Sequence, residues 1–177
     1  MRCLFYLYGG KMFEHNIGPF FDEKSNILIL GSFPSVKSRE ENFYYANKQN
    51  RFWKVLAQVF KDQVPESESE KKDFLTAHRI ALWDVIASCE ILGSSDASIK
   101  NVTPSDISLI LENAPIEKLV LNGKKAAQLF YRNQGSALPL RNCKAQVIEV
   151  YELPSTSPAN AAFSLDALIA HWSIISK

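Results

Sequence analysis

Cysteine is scarce in this 177-residue chain, and the three present, Cys3, Cys89 and Cys143, lie far apart with no C-x-x-C pair. That spacing encodes neither a disulfide framework nor a zinc site, and it points to a reducing, cytoplasmic setting. Charge of one sign is also missing. Twenty Lys+Arg balance nineteen Asp+Glu, so the net charge of +1 neither demands nor excludes a nucleic-acid partner, and any basic surface must be local. No apolar run is long enough for a membrane helix; residues 1–8 come nearest, and no A-x-A cleavage site follows them. Standard phosphate motifs are absent too: Gly31-x-x-Pro34 is not G-x-G-x-x-G, and Asn122-Gly123-Lys124 lacks the earlier glycine and the Ser/Thr of a P-loop. His15, His78 and His171 are scattered, with no metal-ligand spacing. No metal and no cofactor is assigned.

What is present is a regular alternation of elements. A chain of this length that is 46% hydrophobic can bury one core, so a single domain over 1–177 is expected. Met12 offers a second start, so residues 1–11 are expected to be an over-long gene start or a disordered lead-in. Ile27-Leu28-Ile29-Leu30 is apolar on successive residues, the pattern of a strand buried on both faces of a parallel sheet. Phe52, Trp53, Leu56, Val59 and Phe60 recur at helical spacing. Pro65 and the Ser67-x-x-Glu70 capping box open a second helix that ends near His78. Ile80-Ala81-Leu82-Trp83 predicts a strand ending at Asp84, followed by a long polar loop over 87–101. Thr103-Pro104-Ser105-Asp106 predicts a helix start, with Ile107, Ile110 and Leu111 as its buried stripe. Leu119-Val120-Leu121 is a third strand, and Asn122-Gly123 turns the chain into a helix through Ala126, Ala127 and Phe130, closed by Gly135. Residues 146–150 are a fourth strand. A last helix begins near Asn160 and buries Leu165, Leu168, Ile169, Trp172 and Ile175. Strands alternating with helices predict a three-layer α/β/α sandwich around a central, mostly parallel four-stranded sheet. In such sheets ligands bind beyond the carboxyl ends of the strands.

Two Pro-Ser turns follow strand ends: Gly31-Ser32-Phe33-Pro34-Ser35, and Leu153-Pro154-Ser155-Thr156-Ser157-Pro158. The first leads into a loop with two adjacent tyrosines, Tyr44 and Tyr45, and then Asn50-Arg51-Phe52-Trp53. The second leads to Ala159-Asn160. In this order the paired motifs resemble the uracil-DNA glycosylase superfamily, closest to its hypoxanthine-DNA (deoxyinosine) glycosylase branch, over nearly the whole chain from Ile27 to Trp172.

The resemblance implies a monofunctional glycosylase, acting as a monomer without metal or redox cofactor, that flips a deaminated base from double-stranded DNA and hydrolyses its N-glycosidic bond. Unstacking the target costs a few kcal/mol, which a pocket must recover by stacking and edge hydrogen bonds. By position, Tyr45 matches the aromatic that stacks on the flipped base, and Gly31, Ser32 and Phe33 line the base pocket. Relatives carry Asn or Asp at the position of Phe33 to place the attacking water, a role phenylalanine cannot take. Asn50 is the candidate replacement, since an amide can both accept and donate. The same residue is also a good helix N-cap. Asn47 is a weaker alternative that reads more readily as an exposed loop amide. Asp84 occupies the position of a base-reading group and suits an N–H edge, or it caps a backbone turn. Asp96 lies in a loop that could reach the same pocket. Ser35, Pro154, Ser155, Thr156, Ser157 and Asn160 match the segments that grip DNA phosphates and enter the minor groove, although serines in Pro-flanked turns commonly satisfy local backbone. Lys124, with Lys125 and Arg132, adds phosphate charge or is simply a solvated helix face.

Two other functions compete. A lesion-binding module could have kept the pocket and lost the catalyst when Phe33 replaced the polar residue. An α/β enzyme acting on free nucleosides would need no minor-groove loop.

Overall fold

The structure, a computed structural model, describes residues 11–14, 16–91, 100–134 and 139–177. Its centre is a four-stranded sheet in the order β3 (Ile80–Asp84), β2 (Ile27–Gly31), β6 (Lys118–Asn122), β7 (Glu149–Leu153). Every pairing within it is parallel, so the expected mostly parallel sheet is parallel throughout. The register sets Gly31 opposite Asp84 and Asn122 opposite Leu153, which puts all four carboxyl ends at one edge.

Successive apolar residues of the central strands serve opposite faces, as a doubly covered sheet requires. Leu28 and Leu30 of β2 and Leu119 and Leu121 of β6 pack into one core with α4 (Ser108–Leu111) and α5 (Lys124–Gln134). Ile27, Ile29 and Val120 pack into the other, with α2 (Phe52–Phe60), α3 (Glu68–Ala77) and α6 (Leu165–Trp172). This is the expected three-layer arrangement. The capping box of α3 is formed: Ser67 Oγ accepts from Glu70 N at 3.2 Å, and Glu70 Oε2 accepts from Ser67 N at 3.0 Å. The outer edge of β3 is partly paired by Phe20, which exchanges backbone hydrogen bonds of 2.9 and 2.8 Å with Leu82.

Five expectations about elements are corrected. The polar loop after β2 contains a short helix, α1 (Val36–Glu41), capped by Ser35. The long polar loop expected over 87–101 instead contributes β4 (Ile86–Ile91) and β5 (Lys100–Pro104), which form a three-stranded antiparallel sheet with β1 (Lys11–Glu14). Residues 92–99, Asp96 included, lie outside the described residues, as do 1–10, His15 and Gly135. Thr103 and Pro104 finish β5 rather than starting a helix, because both pair with β4; α4 begins only at Ser108, whose N and Oγ donate to Asp106 Oδ1 at 3.2 and 2.6 Å. The fourth strand runs three residues later than the 146–150 expected, in register with β6, while Val147 makes a separate antiparallel bridge to Arg141. The last helix starts at Leu165 behind an Ser164 cap, since the Asn160 amide is occupied in the loop before it.

Candidate active site

Beyond the carboxyl ends of the parallel strands lies a cavity of about 670 Å³, within the size range of small-ligand sites. Its wall joins both motif loops. Of the residues proposed from sequence, Gly31, Ser32, Phe33, Ser35, Tyr45, Asn47, Asn50, Asp84, Ser155, Thr156 and Ser157 line it. Pro154, Asn160 and Lys124 stand outside the wall. Asn122 and Tyr44 line it as well, and the sequence did not single them out as site residues.

Gly31 is required by packing rather than by an unusual φ. A Cβ there would sit 2.2 Å from Asp84 Oδ1 and 3.2 Å from Tyr45 Oη, so only glycine lets the carboxylate and the phenol converge over the end of β2. Asp84 is 4% exposed. Phe33 is buried in the core on the α5 side of the sheet, with the Arg39 guanidinium 5.5 Å from its ring centre.

Tyr45 is held from two sides. Phe52 stacks on its ring at 3.7 Å between centroids and 15° between planes. Asn122 Nδ2 donates to its hydroxyl at 3.1 Å. With one face covered by Phe52, the opposite face is the one that Tyr45 can offer to the cavity. Burial, and then the nearby Asp84 carboxylate, raise the Tyr45 hydroxyl above its usual pKa, so it stays protonated at neutral pH. Tyr44 is raised for the same two reasons, and it donates to Gly18 O at 2.9 Å, anchoring the loop to the segment before β2.

Asn50 sits at the start of α2. Its Oδ1 accepts from Phe52 N at 3.0 Å in an Asx turn one residue ahead of the N-cap, which is Arg51 and not the Asn50 expected. Its Nδ2 has no hydrogen-bond partner among the described residues, which leaves a donor on the cavity wall. Asn47 is similar but less constrained: its Oδ1 accepts from Gln49 N at 3.0 Å in the turn before the helix.

The second motif loop is fixed by residues far away in sequence. Trp172 Nε1 donates to Pro154 O at 3.0 Å, and Asn160 Nδ2 donates to Ser155 O at 2.9 Å. Gly123, at φ +100°, gives close passage to Ser155, since a Cβ there would lie 2.6 Å from the Ser155 Cβ. Ser155 Oγ accepts from Ser157 N at 3.2 Å and Ser157 Oγ from Ala159 N at 3.3 Å. Both serines therefore shape the turn, while each hydroxyl retains a proton to donate outward.

Arg51 is the main staple of this loop. Its NH2 donates to Ser157 O at 2.7 Å and Asn160 O at 2.9 Å, its Nε reaches Thr156 O at 3.4 Å, and its NH1 bonds Phe163 O. Sequence treated it as part of a motif without a role, because none of its partners is local. Arg51→Ala is expected to cost about 2 kcal/mol, the scale of hydrogen bonds to a charged group, and to lower the melting temperature by about 4–8 °C. Arg51→Lys should recover little of it, since an ammonium cannot span the same carbonyls. Thermal melting of both variants checks this; a lysine variant as stable as the parent would show that charge alone suffices.

Among the described residues no three His, Cys, Asp or Glu side chains form a metal cluster, and no helix is long and apolar enough to cross a membrane. The cavity wall brings together the Tyr45 ring, the buried Asp84 carboxylate, the Asn47 and Asn50 amides and a turn rich in hydroxyls.

The sequence profile of the Uracil DNA glycosylase superfamily matches residues 19–173. The chain is 34% identical over 155 residues to a hypoxanthine DNA glycosylase of Methanosarcina acetivorans, covering 86% of this chain and 92% of that protein. It is 33% identical over 119 residues to a hypoxanthine DNA glycosylase of Methanosarcina barkeri, covering 66% and 75%. A solution NMR structure from Methanosarcina acetivorans, described as that of a candidate uracil DNA glycosylase, superposes with a TM-score of 0.74 at 28% identity, over 94% of this chain and all of that one. A match of this extent, on a chain whose two motif loops close over one cavity, makes this protein a member of the uracil DNA glycosylase superfamily.

Proposed function

We propose that this protein is a DNA glycosylase that flips a deaminated base, hypoxanthine above all, out of duplex DNA and hydrolyses its N-glycosidic bond. The observation that carries the reading is the meeting of the Tyr45 ring, the Asp84 carboxylate and the Asn50 amide in one cavity beneath the 153–158 loop. Relatives named hypoxanthine DNA glycosylase support the choice of base.

Each group has a task that its chemistry suits. Tyr45, backed by Phe52, stacks on the extruded base. Asp84 accepts from the protonated N1 of the hypoxanthine lactam, an edge that adenine lacks. In the reaction, a water oxygen bonds to the sugar C1′ as the bond from C1′ to the base nitrogen breaks; the base leaves with that electron pair, and the proton given up by the water ends on the departed base, which is released neutral. An oxocarbenium-like state of this kind needs donors at the departing base and a placed water more than a strong base. Asn50 Nδ2 supplies such a donor. The hydroxyls of Ser155 and Ser157 hold the flanking phosphates while the loop enters the minor groove.

The test is excision from duplexes carrying hypoxanthine, uracil, xanthine or ethenocytosine, with abasic sites as the readout. Cleavage with hypoxanthine fastest is expected. Binding of the inosine duplex with no abasic product would make the protein a lesion binder, and preference for free inosine would make it a nucleoside enzyme.

Tyr45→Ala should lower excision about 10- to 100-fold, matching a stacking contact worth roughly 1–3 kcal/mol. Tyr45→Phe should fall between the alanine variant and wild type: the stack on Phe52 survives, but the bond from Asn122 Nδ2 to the hydroxyl is lost. Single-turnover rates separate the two, and an unimpaired alanine variant would remove Tyr45 from the pocket.

A further inference from the structure

Asn122, the last residue of β6, is 9% exposed, and its amide joins the two halves of the site. Its Oδ1 accepts from Thr156 N at 3.0 Å. A backbone N–H can only donate, so this bond fixes which end of the amide is oxygen. Nδ2 must then donate, and it does so twice, to Thr156 Oγ1 at 3.1 Å and to Tyr45 Oη at 3.1 Å. Thr156 itself is fully buried, at the middle of the loop that carries Ser155 and Ser157. One side chain thus grips the loop at two atoms and the aromatic ring at a third.

That pattern has a chemical consequence for Tyr45. Because its oxygen accepts from Asn122, the Tyr45 hydroxyl proton is left for another acceptor. A loop displaced by DNA would pull on the amide and, through it, on the ring.

We propose that Asn122 is a positioning residue for base excision, locking the loop over 153–158 and the Tyr45 ring into one relation so that seating the loop on DNA sets the ring for the flipped base. This rests on the glycosylase reading above. In this role Asn122 acts through Tyr45 and Thr156.

Asn122→Ala and Asn122→Asp in the full chain test it. The readouts are single-turnover hypoxanthine excision, affinity for a duplex with a tetrahydrofuran abasic analogue, and thermal melting. Asn122→Ala is expected to lower excision about 10- to 100-fold, the scale of an ångström-sized misplacement, with abasic-duplex affinity within about threefold of wild type. In Asn122→Asp, burial and the neighbouring Asp84 should raise the new carboxyl pKa. Its protonated form keeps the acceptor and one of the amide's two donors, so activity relative to wild type should be highest at low pH, still below wild type, and fall as the carboxyl ionises. Tyr44, Tyr45, Asp84, Lys37 and Glu40 are the other titratable groups on the cavity wall, and the pH profile of the ratio belongs to the new carboxyl together with the groups coupled to it.

Excision by Asn122→Ala within threefold of wild type overturns the proposal. So does an excision loss matched by an equal loss of abasic-duplex affinity, the mark of a purely structural role. Should Asn122→Ala fail to fold, a folded Asn122→Asp whose activity ratio does not change with pH overturns it as well. Wild-type protein inert on every lesion duplex would sink the glycosylase reading and this proposal together, whereas an active wild type with an equally active alanine variant sinks only the role of Asn122.

Discussion

Asn50→Ala is expected to fold and to lose hypoxanthine excision by about 10²–10³, the effect of removing one preorganised donor from a reaction centre. The structural part of the loss is small and separable. Removing the Oδ1 bond from Phe52 N costs roughly 1 kcal/mol, which for a chain of this size lowers the melting temperature by about 2–4 °C. Asn50→Asp distinguishes the two ends of the amide. An aspartate still accepts from Phe52 N and should melt like the parent, but it has lost the Nδ2 donor that lines the cavity. Because the oxygen is already engaged and the nitrogen is not, Asn50→Asp is expected to be as inactive as Asn50→Ala. An active aspartate beside a dead alanine would transfer the role to the oxygen and to placing water. Wild-type single-turnover rates in Asn50→Ala would leave the residue as the acceptor of an Asx turn and nothing more.

The parts of this molecule that sequence disclosed are those whose signals are local. Burial of β2 on both faces shows in four consecutive apolar residues, and the structure divides them between two cores, Leu28 and Leu30 against Ile27 and Ile29. The capping box of α3 lies within four residues of chain. Both motif loops were legible because Pro, Ser and Tyr at fixed offsets have few other uses. The antiparallel sheet was not legible. Strand β4 shifts register against β5 between Ile86 and Ser88 and again between Ser88 and Glu90, which breaks the period-two alternation by which a strand is recognised. Pro104 then reads as a helix start although it ends a strand. Asn122 was hidden differently: Asn-Gly is a familiar turn signal, and the partners that give its amide a role are 77 and 34 residues away in the chain. Its position at the carboxyl end of a parallel strand was the one available clue. Arg51 shows the same limit, since it holds carbonyls more than a hundred residues distant.

Gly31→Ala is the smallest change expected to abolish the site. The new methyl group would stand 2.2 Å from Asp84 Oδ1, closer than any real contact, and 3.2 Å from Tyr45 Oη. Relief cannot come from the backbone at modest cost, because Gly31 and Asp84 are partners in parallel register at the ends of β2 and β3. The Asp84 side chain must therefore swing away. Overpacking of this kind costs about 1–3 kcal/mol, or roughly 2–12 °C in melting temperature, so the variant should still fold. Excision should nevertheless fall by about 10²-fold or more if Asp84 reads the base as proposed, since displacing such a group by an ångström has an effect of that size. A second substitution separates clash from chemistry. In Gly31→Ala with Asp84→Ala, the carboxylate that meets the methyl group is gone, so the double variant should melt above Gly31→Ala alone. It should still fail to excise hypoxanthine, because nothing remains to accept from N1. A double variant that regains activity along with stability would show that Asp84 only fills space at the end of β3. A Gly31→Ala protein with wild-type melting and wild-type excision would show that the carboxylate has room to leave the cavity without consequence, and Asp84 would then have no part in reading the base.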